Sequence, residues 1–251
     1  RGEGLLPHFI AIRNGDEQHL DIVREGNEHV LRARFADADF FVREDVKQKL
    51  EDFRPKLSTL TFQTKLGSML DKAGRIEKLA ADLIPMLGLE ADEATFTRRA
   101  AHLCKADLTT QMVTEMTSLQ GIIGGEYALR SGESKDVATA ISEQYQTVPG
   151  SKPGLVVALT DRLDSLVGLF AAGLAPTGAK DPFGLRRAAA AAAQPGTGAG
   201  GRTGFLPRGG PATAPVVVRY HPAARARGGY FARPAPVAGP ALACPRFLRP
   251  G

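Results

Sequence analysis

The chain has 251 residues, 43% of them apolar and 24% charged, enough for one or two domains with a sizeable core. No apolar run nears the roughly 20 residues of a membrane helix, no charged-then-apolar leader opens the sequence, and two cysteines, Cys104 and Cys244, cannot build a disulfide framework or a zinc cluster. The net charge of +5 divides unevenly: residues 195–251 hold eight Arg and no Lys, Asp or Glu, which leaves 24 basic against 27 acidic side chains before them, so overall basicity does not argue for nucleic acid. The expectation is a reduced, cytoplasmic protein without membrane partners, and the start at Arg1 rather than Met suggests an internal piece of a longer chain.

In chain order, Phe9–Arg13 alternates like a short strand and closes on the turn signal Asn14-Gly15-Asp16, as the last strand of a domain ending near residue 19 would. From Leu20 the apolar spacing becomes helical through Val23, Leu31, Phe35, Phe41, Val46 and Leu50. One long helix or two in succession are expected there, ended by Pro55. A helix is expected over Leu66–Leu87, then two more over Asp92–Asp107 and Thr109–Ile123. Gly124-Gly125 reads as a break or bend. Asp136–Tyr145 is amphipathic, residues 148–154 form a loop, and Gly154–Ala175 reads as a buried helix with one wet edge. Asp181–Ala193 closes the body, with Asp181 as N-cap and Pro182 at the first helical position. Residues 20–55 thus read as connecting helices and 56–193 as a compact all-helical domain.

From residue 194 the composition changes. The last 57 residues hold 11 Gly and 10 Pro and lack Ile, Ser, Lys and Met altogether, with Ala214–Tyr220 the one strand-like stretch. Such a segment buries too little apolar surface to order itself. It reads either as a disordered arginine-rich arm or as the translation of a GC-rich gene out of frame; we favour the second and rest no function on it.

Five His (His8, His19, His29, His102 and His221) offer no pair at metal-ligand spacing. His102 and Cys104 read as ordinary residues of one helix, and no P-loop, nucleophile-elbow or zinc-protease motif is present. No catalytic or metal-binding residue is expected. Asp161 and Asp164, one helical turn apart, read as partners for basic groups, and Asn27, Gln63 and Thr110 as internal hydrogen-bond partners.

The order Lys72-Ala73-Gly74-Arg75, then Ala101-His102-Leu103-Cys104-Lys105, then Thr160-Asp161-Arg162 resembles the HD phosphohydrolase superfamily, all-helical enzymes whose metal is held by a His, a His-Asp pair and a distant Asp. Here the first His position is Lys72 and the pair is Cys104-Lys105. Asp161 alone keeps the family's residue. Two ammonium groups and one carboxylate cannot hold a divalent cation, because a protonated Lys has no free lone pair. The resemblance implies the fold in degenerate form, without the hydrolase chemistry.

A more specific resemblance is to the beta subunit of the bacterial tetrameric glycyl-tRNA synthetase. It rests on Gly26-Asn27-Glu28-His29-Val30-Leu31-Arg32-Ala33-Arg34, Thr61-Phe62-Gln63-Thr64-Lys65-Leu66-Gly67-Ser68, Lys105-Ala106-Asp107-Leu108-Thr109-Thr110, Asp161-Arg162-Leu163-Asp164-Ser165-Leu166-Val167-Gly168 and Pro176-Thr177-Gly178-Ala179-Lys180-Asp181-Pro182-Phe183-Gly184-Leu185-Arg186-Arg187. These runs follow the family's order over about 24 to 190. The resemblance implies a mainly α fold: a degenerate HD-like domain preceded by the end of an α/β module similar to B3/B4 of phenylalanyl synthetases. It also implies an enzyme that joins glycine to tRNA(Gly) with ATP and Mg. Adenylate formation would sit on a separate alpha subunit, and this chain would serve tRNA recognition and assembly without binding a cofactor of its own. Candidate tRNA contacts are then basic residues beside Gly or polar turns: Lys180, Arg186 and Arg187 foremost, with Lys105, Arg32, Arg34, Arg13 and Lys65, each weighed against ordinary ion pairing. Two alternatives stand beside this reading: an active HD-type phosphohydrolase with metal near Asp161, and a helical scaffold that binds protein alone.

Overall fold

A computed structural model describes residues 8–178 and 180–193. Nine helices and one small hairpin are found among them: α1 Leu20–Asp45, α2 Leu50–Phe53, β1 Thr61–Gln63, β2 Gly67–Ser68, α3 Met69–Met86, α4 Ala91–Leu103, α5 Gln111–Glu115, α6 Ile122–Arg130, α7 Lys135–Glu143, α8 Lys152–Ala171 and α9 Leu185–Ala193. The chain is mainly α, as expected. The segment from 194 and the strand read at Ala214–Tyr220 lie outside the described residues.

The helix starts follow local chemistry. Ser68 accepts from Asp71 N while Asp71 accepts from Ser68 N at 2.8 Å, a reciprocal capping box that opens α3. Thr110, Ser134 and Ser151 cap α5, α7 and α8 from one side only, each side chain accepting one backbone N–H. On α3 the residues Ala73, Ile76, Ala80, Leu83 and Ile84 make one buried stripe. It faces α8, which lies at the centre and packs on α3, α4, α7 and α9. The main core joins Leu50, Phe53, Ile76, Leu103, Met112, Ile141, Val156 and Val157. A second cluster of Leu66, Leu169, Ala172 and Leu185 ties the hairpin to the end of α8 and the start of α9.

Helix α1 is about 39 Å long at 1.5 Å per residue, yet only its last turns join the core, through Ala38, Phe41 and Val42. Its end is fixed by buried Asp45, which accepts from Gln111 N (2.9 Å), Met112 N (3.0 Å) and Tyr127 Oη (3.1 Å). The carboxylate thereby answers the free N–H groups at the start of α5.

Several expectations need correction. Phe9–Arg13 is not a strand: Ile10 and Ile12 are 95% and 98% exposed, and no strand pairs with it among the described residues. Leu50 and Phe53 are buried in the main core, so the compact unit takes in residues assigned to a connecting segment. Pro55 does not simply stop a helix but sits early in a 3-10 turn over Arg54–Thr59. Leu66 belongs to the hairpin turn before α3. The two helices expected over 92–123 are four shorter pieces, including 3-10 turns at Ala106–Thr109 and Thr117–Leu119. Asp181 is not the N-cap: α9 begins only at Leu185 and Pro182 lies in the turn before it, although the Asp181 carboxylate still accepts from Leu185 N (2.8 Å) and Arg186 N (2.9 Å) at the helix start.

Gly124 and Gly125 lie inside α6 rather than breaking it. A Cβ on Gly125 would stand 1.9 Å from Ser142 Oγ and 2.8 Å from the Ala138 carbonyl, so α6 meets α7 backbone to backbone. The chain turns instead at Gly121, whose φ of 79° suits glycine. Gly125→Ala should therefore lower stability by about 1–3 kcal/mol, while Gly74→Ala, mid-helix with open space at its Cβ, should raise it by about 0.5–1 kcal/mol. Urea midpoints of the two variants against the parent chain check both signs.

Candidate functional site

Four of the positions singled out in sequence, Lys72, Lys105, Asp161 and Asp164, converge. Helix α3 presents Lys72 and Arg75 one turn apart, α8 presents Asp161 and Asp164 one turn apart, and the turn after α4 brings in Lys105. Lys72 Nζ lies 2.9 Å from Asp161 Oδ1 and 3.1 Å from Asp164 Oδ2, and donates to Ser165 Oγ at 2.7 Å. Lys105 Nζ donates to Asp161 Oδ2 at 2.8 Å and to Tyr145 Oη at 3.0 Å, and sits 4.2 Å from the Tyr145 ring centre. Arg75 grips Asp164 with Nε at 2.5 Å and Nη2 at 3.2 Å, and donates to the Leu66 carbonyl.

The two ammonium groups are enclosed, Lys105 being 2% exposed and Lys72 3%. Burial alone would raise the Asp161 carboxyl, but the Lys105 and Lys72 ammonium groups outweigh it and hold Asp161 far below the usual carboxylate range. Burial likewise works against the charge on Lys105, and Asp161 beside it reverses the balance and raises its pKa. The Cys104 thiol is pushed up to about 12 by burial and donates to the Ala101 carbonyl, which makes it a packing residue. The Lys72, Lys105 and Asp161 set does not fit a metal: two of the three positions are ammonium groups, and both are already committed to the third, the Asp161 carboxylate.

A second network lies on the surface. Arg99 bridges Glu51 and Glu133, and His102 stands 3.2 Å from Glu77 and 3.3 Å from Glu51. Paired hydrogen bonds from Arg99 hold the Glu51 carboxyl down to about 2.

Beside the buried set runs an open groove of about 610 Å³, between α8, the Gln144–Thr147 segment and α9. Asp161 and Tyr145 form its floor, and Arg162, Arg187 and Phe183 its sides. Lys180 is exposed in the turn that leads to α9, closed by the Thr177–Lys180 bridge. Arg186 points back to the Gly178 carbonyl, whereas Arg187, one position on, lines the groove. Lys65 Nζ donates to the Ala172 carbonyl at the end of α8. Arg32 pairs with Glu28 at 2.8 Å on α1, Arg34 is exposed on the same helix, and Arg13 donates to the Gln18 carbonyl. Lys105 must be withdrawn from the candidate tRNA contacts, because its ammonium is sealed against Asp161. Sequence reasoning missed Arg75, Arg162 and Phe183; the matching one-turn spacings of Lys72–Arg75 and Asp161–Asp164 could have revealed the first.

Known proteins place this architecture. The family described as glycyl-tRNA synthetase beta subunit matches residues 1–195. The chain belongs to that family. It is similar to the glycine–tRNA ligase beta subunit of Clostridioides difficile (51% identical over 191 residues, 74% of this chain and 28% of that protein). The same named subunit from Desulforudis audaxviator is 50% identical with the same shares, and that from Pseudomonas fluorescens 49%. The chain thus spans little more than a quarter of the length of these aminoacyl-tRNA synthetase subunits. Within this chain, Asp161 and Asp164 supply the carboxylates of the ion set, and Phe183 and Arg187 line the groove.

Two outcomes follow for stability. Asp161→Asn leaves the Lys105 ammonium buried without a carboxylate and should lower stability by about 3–5 kcal/mol. The pair Lys105→Met with Asp161→Leu should lose less than that single change, since Lys72 keeps Asp164; denaturant unfolding of all three chains decides the order. With pH, the depressed Asp161 contributes stability that is full above the unfolded carboxylate range and lost progressively as pH falls from that range toward its much lower folded value. Asp107 acts oppositely. Burial pushes its carboxyl up to about 6, so between roughly pH 4 and 6 the unfolded chain releases this proton first, and rising pH favours unfolding by roughly 3 kcal/mol in total. Stability should therefore climb as pH drops from 7 to about 5 and fall below about 4, and Asp107→Asn should flatten the upper limb.

Proposed function

We propose that this chain is the tRNA-facing, non-catalytic helical part of a glycine–tRNA ligase beta subunit. On this reading the whole enzyme, an assembly of two alpha and two beta subunits in the cytoplasm, attaches glycine to tRNA(Gly). ATP and Mg act on the alpha subunit, which is the protein partner of this one. Residues 1–19, of which 8–19 are described, would end a B3/B4-like module, and the body would be an HD-like domain whose metal set has been replaced by the Lys72, Lys105 and Asp161 ion set. No helix among the described residues is long and apolar enough to cross a membrane.

The observation that carries the proposal is the exposed basic turn and helix start at Lys180, Arg186 and Arg187, set beside a groove that shows a further guanidinium, Arg162. Phosphate contacts need cations that are reachable and not consumed by carboxylates. Arg187 meets that condition, and the adjacent Arg186 diverges from it by about 100° along the helix. An active HD-type phosphohydrolase is disfavoured by the ammonium groups at its ligand positions, one of which, Lys105, is held firmly in the charged form.

Binding of tRNA(Gly) to this chain, followed by fluorescence anisotropy across a salt series, tests the reading. Lys180→Ala with Arg187→Ala should weaken binding about tenfold and reduce the slope of log K against log salt by about 2. If the parent chain shows no salt-sensitive tRNA binding, the scaffold that binds protein alone replaces this proposal.

A further inference from the structure

The groove beside Asp161 combines two chemistries. The internal cations Lys72, Arg75 and Lys105 are taken up by Asp161 and Asp164, and Asp181 is occupied by the backbone N–H groups of Leu185 and Arg186. Five cations thus stand around three carboxylates, and the two guanidinium groups that line the groove, Arg162 and Arg187, have no carboxylate of their own among them. Arg162 uses two of its five N–H donors on the Gln146 and Ala191 carbonyls, which leaves the others available. Two aromatic rings accompany these cations: Phe183 is 48% exposed, and Tyr145 is 38% exposed with the Lys105 ammonium against its ring.

Guanidinium groups recognise phosphate through paired donors, and exposed aromatic rings stack nucleobases. A free phosphate or an acidic peptide would satisfy the arginines and leave the rings in water. An apolar segment would cover the rings and strand the arginines. A nucleotide answers both, and about 610 Å³ lies within the usual range of small-ligand pockets, about 300–1,000 Å³. A base inside a duplex has no free face, so the nucleotide must be unpaired. We propose that this groove seats one unpaired nucleotide of an RNA strand, with its phosphate between Arg162 and Arg187 and its base on Phe183 and Tyr145. The proposal rests on the RNA-facing reading above and adds to it the kind of RNA that the site selects.

The test uses the full chain with two probes, a short single-stranded RNA and the same sequence closed into a blunt duplex, each titrated at low salt. Phe183→Ala should lower single-strand affinity about tenfold and leave duplex affinity unchanged. Lys180→Ala, outside the groove, should weaken both probes alike. Single-stranded RNA carrying thiouridine should cross-link on irradiation to peptides containing Tyr145 or Phe183. Phe183 is half-exposed, so its truncation leaves the core intact, and far-UV circular dichroism checks this. An unchanged single-strand to duplex ratio in Phe183→Ala, or cross-links confined to other peptides, overturns the proposal. So does displacement of the strand by a free nucleoside monophosphate at the same concentration, because the groove would then be a free-nucleotide site. If salt-sensitive RNA binding is missing altogether, the RNA-facing reading itself falls; if binding persists and Phe183→Ala is silent, only the groove assignment does.

Discussion

The arrangement of this body depends on one carboxylate, Asp161, held between two buried ammonium groups at the floor of the groove. A carboxylate alone in that position would be neutral, and either lysine alone would lose its proton or pull in water. Together with Asp164 and Arg75 they satisfy one another, and they come from three separate pieces of chain: α3, the turn after α4, and α8. Buried ion pairs of this kind contribute little net stability compared with apolar packing, and more to the choice of one arrangement over others. Apolar contacts between α3 and α8 would tolerate a slide or a rotation; the charges here do not. Fixing α8 in rotation also fixes Arg162, the next residue, about 100° round at the edge of the groove.

Much of the helical order was legible because amphipathic spacing and Ser or Thr caps are local signals. The main features that escaped detection depend on distant partners. Thr61–Gln63 and Gly67–Ser68 are too short to show a period of two, and they exist because Leu66 and Phe62 cover Leu169 and Leu185. Gly124-Gly125 looked like a breaker because glycine weakens an isolated helix; here the missing side chains let α6 press on α7, which only the packed structure shows. Phe9–Arg13 erred the other way, since alternation marks a sequence that could be a strand, and a strand needs a neighbour.

The candidate site divides along the same line. The exposure of Lys180, Arg186 and Arg187 was legible because turn residues around a helix start are exposed almost wherever they occur. Lys105 was misplaced because a lysine's burial is decided by Asp161, which lies 56 residues away in sequence. The family resemblance had set Lys72, Lys105 and Asp161 side by side as a degenerate ligand set, and it was that alignment, more than their charge, that brought them into one view. Arg162, Tyr145 and Phe183 come from three segments that meet only in the fold, so no local pattern announces the groove.

The two sides of that groove are held with different firmness. Its floor is tied by the charged set and cannot move without separating buried ions. Its far wall, α9, has nine residues, six of them a run of Ala after Arg187, with Leu185 its buried anchor. An Ala-rich helix forms readily, but it offers little apolar area to bury, and one this short is marginal alone. It is kept in place by the Asp181 carboxylate at its start, by Leu185 in the small cluster, and by Arg162, which donates to the Ala191 carbonyl at 3.5 Å. Arg162 therefore serves both as a wall contact and as a cation in the groove. On the proposal above, a phosphate held between Arg162 of α8 and Arg187 of α9 would bridge the two helices, so occupancy of the groove would be coupled to the seating of its far wall.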